Sequence, residues 1–249
     1  EDLSDIELWN RREEFSLENI PDEIRWLTCG VDCQDDRLEA VMMGHGASDL
    51  FVLDHRVFWG PIDGNQVWED LDSLLGQTFT HPRGGAMKID ACAVDSGDGG
   101  HTEIVMGYTR ARFGRRVVAT KGVPGFSRAF LQRASTTSPL WLVGVDAAKA
   151  QLFQRLARGQ GVRFASTLEA PFFEQLTSER RVLRYTRGRP EQRFERIPGR
   201  RAETLDATIY AWAVRQMIGQ RIEAREAEIN SVEAPKKALT VVRSRWLSR

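Results

Sequence analysis

The chain opens its ordered part with three apolar runs separated by short polar turns. They are Arg25–Asp32, Arg37–Gly46 and Leu50–Phe58, the last carrying Phe51, Val52, Leu53 and Val57. Turns this short, Gln34-Asp35-Asp36 and Gly46 to Asp49, predict an antiparallel meander. The period then changes. Val67, Leu71, Leu74 and Leu75 fall at helical spacing within Gln66–Phe79. A fourth strand, Met87–Val94, ends in Asp95 and a glycine-rich turn, and Thr102–Phe113 reads as a helix. Arg116–Thr120 and Trp141–Val145 are further strands, the first leading into the loop Lys121-Gly-Val-Pro-Gly125. Ala147–Ala157 is an amphipathic helix and Glu179–Arg196 a hairpin around Arg187-Gly-Arg-Pro190. Arg201–Ile218 is a long helix with Leu205, Ile209, Trp212, Ala213 and Met217 inward.

Three sequential strands, a helix, then strands alternating with helices is the order of a ribonuclease H-like α/β fold. There an antiparallel meander continues into parallel strands, and helices flank the mixed sheet. Residues 25–219 are assigned to this domain. Residues 1–24, acidic and with a Pro21-Asp22 turn, read as a lead-in: a linker or a short helix packed on the domain. Beyond 220 the apolar face is lost, and 220–249 reads as a charged mobile tail or partner-docking segment. The chain begins at Glu1 without methionine, as an excised domain of something longer would.

Composition narrows the class without choosing a function. With 41% hydrophobic and 28% charged residues, the chain of 249 residues is ordinary for a soluble globular protein. No apolar run reaches membrane-spanning length, and no signal peptide is visible. Net charge is zero, but its distribution is uneven. Nine arginines stand against two glutamates between Arg180 and Arg201, and Arg110–Arg133 is a second basic stretch. That asymmetry suits a polyanion-binding face on a neutral protein, with Lys121, Arg128, Arg181, Arg184, Arg187 and Arg189 as candidate DNA contacts. Cys29, Cys33 and Cys92 lack the histidines or second cysteine pair of a zinc site and read as reduced, apolar packing residues. Phosphate-loop, Gly-x-Ser-x-Gly and dinucleotide motifs are absent, and the four histidines form no zinc-protease motif.

The candidate chemistry rests on three acids. Asp32 and Asp95 each end an apolar run, and Asp206 sits in the last long helix beside its packed face. On the predicted sheet the first and fourth strands are neighbours, so two strand-end carboxylates meet and the helix carboxylate closes the site. Such a set suits Mg2+ or Mn2+, hard ions that prefer oxygen ligands, and a pair of ions suits phosphodiester hydrolysis. Asp32 and Asp95 alone also fit a plainer role, since aspartate favours turns, whereas Asp206, a poor helix former near a packed face, calls for a partner or a metal. Asp146 reads as the cap of the helix starting at Ala147, with Lys149 a solvent or phosphate contact. Asp35 and Asp36 read as a solvated turn, and His101 as a helix-start surface residue able to reach a scissile phosphate.

Several segments together resemble a family. They are Leu27-Thr-Cys-Gly-Val-Asp-Cys-Gln-Asp-Asp-Arg-Leu-Glu39, Ala93-Val-Asp-Ser-Gly97, Lys121-Gly, Leu142-Val-Gly-Val-Asp-Ala-Ala-Lys149 and Glu203-Thr-Leu-Asp206. In order from Trp9 to Ile218, they resemble the C-terminal endonuclease domain of lambda-type phage terminase large subunits. The resemblance implies a metal-dependent nuclease that cuts concatemeric double-stranded viral DNA at genome ends in the host cytoplasm. It implies Asp32, Asp95 and Asp206 as the metal-binding catalytic acids, although related nucleases often place glutamate where this chain has the shorter Asp95. It also implies three partners: a preceding packaging ATPase domain, absent here, a small DNA-recognition subunit, and a capsid portal met through residues 220–249. A junction resolvase or integrase on the same fold is a second reading. A docking module for portal and DNA with little cleavage of its own is a third.

Overall fold

The computed structural model describes residues 3–97, 99–186 and 189–231. Its first half runs α1 (Asp5–Asn10), β1 (Arg12–Glu13), β2 (Trp26–Gln34), β3 (Arg37–His45), β4 (Leu50–Trp59), α2 (Gln66–Gly76), β5 (Phe79–Thr80), β6 (Ala86–Met87) and β7 (Ile89–Asp95). There follow α3 (Thr102–Arg110), β8 (Val117–Val123), β9 (Leu131–Arg133), β10 (Leu140–Gly144), α4 (Val145–Arg158) and β11 (Val162–Ala165). The last elements are α5 (Ala170–Leu176), β12 (Glu179–Thr186), β13 (Arg189–Arg196), α6 (Glu203–Val214) and α7 (Ile222–Asn230).

Nine strands form one sheet in the order β1-β11-β4-β3-β2-β7-β8-β10-β9. β2, β3 and β4 are the expected antiparallel meander, and β7, β8 and β10 continue from β2 in parallel. This is the ribonuclease H-like arrangement of a meander extended by parallel strands and flanked by helices. β2 and β3 are buried almost throughout because helices and loops cover both sheet faces. Cys29, Cys33 and Cys92 are free and buried within this core. Among the described residues no helix is long and apolar enough to cross a membrane.

One close approach sets the position of α6. A Cβ on Gly30 of β2 would lie 1.9 Å from the Ala207 carbonyl oxygen and 2.4 Å from the Ala211 nitrogen. Only glycine lets the helix backbone rest directly on the strand. Thr28, two residues earlier on the same strand face, donates its hydroxyl to the Ala211 carbonyl at 2.6 Å. α6 therefore runs back along β2, and its acidic first turn lies over the strand's C-terminal end.

At the N-terminal end the packed short helix, one of the two expected forms of the lead-in, is present, whereas the C-terminal end differs from expectation. Within the lead-in, α1 buries Leu8 and β1 pairs in parallel with β11, so residues 5–13 extend the domain. Residues 222–230, read from sequence as part of a mobile tail, form α7 with Arg225 and Ile229 buried. A helix only nine residues long that buries an arginine shows no apolar stripe to periodicity analysis. Residues 232–249, the rest of the predicted docking tail, lie outside the described residues.

Candidate active site

Asp32 lies on β2 and Asp95 ends β7, and the parallel register pairs Val31 with Val94, so the next residues, Asp32 and Asp95, stand side by side. Asp32 shares its strand face with Thr28 and Gly30, the face covered by α6. Asp206, in the first turn of that helix, completes a cluster drawn from three elements. The neighbouring charges are felt: burial pushes the Asp32 carboxyl well above the usual carboxylate range, and Asp206, Asp95 and Glu203 push it further. Burial likewise raises Asp95 to about 6, with Asp206 adding to the shift. Three acids thus share a poorly solvated place with more negative charge than the protein itself balances.

Side chains around the cluster hold its geometry. The Gln34 amide donates to Asp32 Oδ2 at 2.7 Å, opposing the effect of burial. The Tyr210 hydroxyl donates to Asp95 Oδ1 at 3.0 Å, and the Gly97 N–H donates to the same oxygen at 3.1 Å. Tyr210 follows Asp206 by four residues, one helical turn, so α6 supplies both an acid and the group that orients a second acid.

Lys149 is the largest departure from the sequence reading. Expected as a solvent or phosphate contact, it is 5% exposed. Its Nζ donates to Asp206 Oδ1 at 3.0 Å and to Glu179 Oε2 at 2.9 Å. Burial alone would favour loss of its proton, but Asp206 and Glu179 outweigh burial and hold its pKa above the ordinary lysine value. A sequence signal for this existed: Lys149 shares the buried stripe of α4 with Leu152 and Leu156. Glu179 gave no such signal, because only folding of the β12–β13 hairpin brings it to Lys149.

Asp146 is not the predicted helix cap. Gly144 occupies that position, and Asp146 Oδ2 accepts the Gly125 N–H at 2.7 Å, tying α4 to the loop after β8. His101 is buried, contrary to the surface reading, and its Nε2 lies 2.8 Å from Asp35 Oδ1. Asp36 pairs with Arg37 at 2.6 Å in the exposed turn.

The candidate DNA contacts fall into three groups. Lys121 and Arg128 are exposed, and Lys121 belongs to β8 rather than the following loop. Arg181 is exposed with its guanidinium 5.2 Å from the Phe126 ring centre, and Arg184 pairs with Glu195 at 2.7 Å. Arg187 lies outside the described residues, and Arg189 is placed only by its backbone in β13.

As donors, three carboxylates suit a hard divalent cation, whose charge would relieve the repulsion that raises Asp32 and Asp95. Among the described residues no three His, Cys, Asp or Glu side chains are gathered closely enough to hold an ion as they stand. Lys149 occupies one oxygen of Asp206 in this arrangement.

Comparison with known proteins finds terminase large subunits among the relatives of this chain. It is 28% identical over 225 residues to the terminase large subunit of Escherichia phage lambda, covering 84% of this chain and 35% of that protein. The terminase large subunit of Enterobacteria phage P21 is 26% identical over 222 residues, covering 81% and 34%. The chain therefore spans about a third of the length of these curated relatives. Among solved structures, the large terminase nuclease of thermophilic phage G20c with bound magnesium aligns at a TM-score of 0.48 and 10% identity. That alignment covers 85% of this chain and 97% of the other. The family profile for the terminase large subunit gpA endonuclease domain matches residues 1–227, and the chain belongs to that family.

Proposed function

We propose that this chain is a divalent-metal-dependent DNA endonuclease that cuts concatemeric double-stranded viral DNA at genome ends during packaging. The observation that carries this reading is the meeting of Asp32, Asp95 and Asp206, from two adjacent strands and one helix, in a poorly solvated cluster rich in negative charge. Bound there, two Mg2+ or Mn2+ ions would supply an activated water and stabilise the leaving oxygen of a phosphodiester.

In this account Asp32, Asp95 and Asp206 would together hold the ions. Gln34 fixes the Asp32 carboxylate and Tyr210 fixes Asp95. Lys149 braces Asp206 from within the protein and ties it to Glu179 at the base of the hairpin. The exposed cations Lys121, Arg128 and Arg181 would neutralise DNA phosphates, giving an affinity that falls steeply with salt. Arg184 reaches phosphate only by leaving Glu195. In the assembled packaging machine a preceding ATPase domain, a small DNA-recognition subunit and a capsid portal are the proposed partners, the last through residues 220–249.

Calorimetric titration with Mn2+ tests the metal site. The wild-type chain should bind about two ions, the stoichiometry of a two-metal site, and Asp206→Ala should weaken binding about tenfold or more. Absence of Mn2+ binding to the folded chain would reduce it to a docking module.

A further inference from the structure

The hairpin carries a feature that its arginines do not explain. Alternation places Glu179, Arg181, Leu183 and Tyr185 on one face of β12, with Phe194 opposite Arg181 and Gln192 opposite Leu183. The inner half of that face is anchored to the domain. Glu179 meets Lys149, and the Phe194 ring centre lies 5.3 Å from that of Phe153 and 6.1 Å from that of Phe126. The outer half is open: Leu183 is 54% and Tyr185 72% exposed. Two large apolar side chains held outward on a ribbon are costly to leave in water unless they are used.

Charge says what they meet. Arg180, Arg184 and Arg193 lie on the opposite face of the ribbon with two acids: Glu195, shared by Arg184 and Arg193, and Glu191, which stands opposite Arg184 in the register. Glu179 is paired with Lys149, which it shares with Asp206. The described hairpin is therefore a positively charged arm with an apolar blade, fitted to a polyanion with stacked apolar rungs.

We propose that Leu183 and Tyr185 form a wedge that enters a groove of duplex DNA and partly unstacks one base step, while the arginines grip the flanking phosphates. The proposal rests on the endonuclease reading and adds to it a means of bending the substrate. Proteins that insert apolar side chains between base steps gain a kink that brings more of the duplex onto their surface. The geometry sets the place. Tyr185 follows Glu179 by six strand residues, about 20 Å at roughly 3.3 Å each. At about 3.4 Å per base pair, a duplex laid along the ribbon would meet the wedge roughly half a helical turn from Glu179, which Lys149 links to Asp206.

The test uses the full chain and a short duplex carrying 2-aminopurine at several steps, titrated in EDTA so that no cutting occurs. Wild type and Tyr185→Phe should raise the fluorescence about twofold or more as the probed step unstacks. Tyr185→Ala should abolish the rise and weaken binding about three- to tenfold, a loss in the range of stacking contacts. Its salt dependence should stay that of wild type, whereas Arg180→Ala should lower the slope by about one contact and keep the rise. An equal rise with Tyr185→Ala, or tight wild-type binding with no rise at any step, overturns the wedge. Plasmid cutting by the same preparation in Mn2+ separates the two ideas. Cutting without unstacking removes the wedge alone, and a chain that neither binds nor cuts DNA removes the endonuclease reading with it.

Discussion

Asp95 shows what the candidate site costs the fold. Its carboxyl, ordinarily near 3.8, is raised to about 6, chiefly by burial. A raised acid destabilises the native state at pH values where it must ionise. Full cost is present above about pH 6 and disappears as the pH falls below about 4, because the unfolded chain loses this proton first. At about 1.4 kcal/mol per pH unit the upper bound is roughly 3 kcal/mol. Asp95→Asn keeps an oxygen for Tyr210 and removes the charge. It should stabilise the metal-free chain by about 1–3 kcal/mol at pH 7.5, with no gain at pH 4, measured by urea unfolding in EDTA. A destabilised variant at pH 7.5 would mean that the buried Asp95 charge does not burden the fold. At this scale the three acids were legible, because each sits where an apolar pattern ends or where a helix should carry no carboxylate. Lys149 was misread because a charged side chain after a predicted cap looks solvated. Its two acid partners come from elements 30 and 57 residues further along the chain.

Helix α6 converts a strand-end pair of carboxylates into a three-acid site, and Gly30 fixes its height above the sheet. Replacing Gly30 with alanine would drive a methyl group into the Ala207 carbonyl, contact that backbone cannot relieve by a rotamer change. The expected outcome is a loss of about 3 kcal/mol together with weaker Mn2+ binding, read by thermal unfolding and calorimetry on the same protein. Normal stability and metal affinity in Gly30→Ala would show that α6 does not set the site. Periodicity revealed the long elements well: the meander, β7, β8, β10, α4 and α6 all lie where the apolar pattern placed them. It missed β11 and α5, with four and seven residues, too short for a period to declare itself. It also ended β8 early, so Lys121 was assigned to a loop when it lies on the strand.

Across the whole molecule, the described chain closes on itself at a point remote in sequence. Arg225 of α7 donates to the Arg25 carbonyl at 2.6 Å and pairs with Asp90, whose Oδ2 also accepts the Leu27 N–H at 2.9 Å. The Gly85 N–H donates to the Ile229 carbonyl at 2.8 Å. α7 therefore clasps the start of β2 and the entry to β7, the two strands that carry Asp32 and Asp95 at or near their C-terminal ends. Arg225→Ala leaves Asp90 buried without its cation and should cost about 3–5 kcal/mol, whereas the exposed Arg221→Ala should cost under about 0.5 kcal/mol. Equal unfolding midpoints for the two variants would make α7 a passive appendage. Sequence reading assigned this segment to the tail because one of its two buried residues is an arginine, leaving Ile229 alone to mark an apolar face.

The central claim is that Asp32, Asp95 and Asp206 form one nuclease centre. It is tested most directly with plasmid DNA, Mn2+ and the Asp32→Asn chain, once circular dichroism has shown the variant to be folded. Wild type should convert supercoiled plasmid to nicked and linear forms, and Asp32→Asn should cut at least about a hundredfold more slowly. Cleavage by the folded variant at the wild-type rate would contradict it.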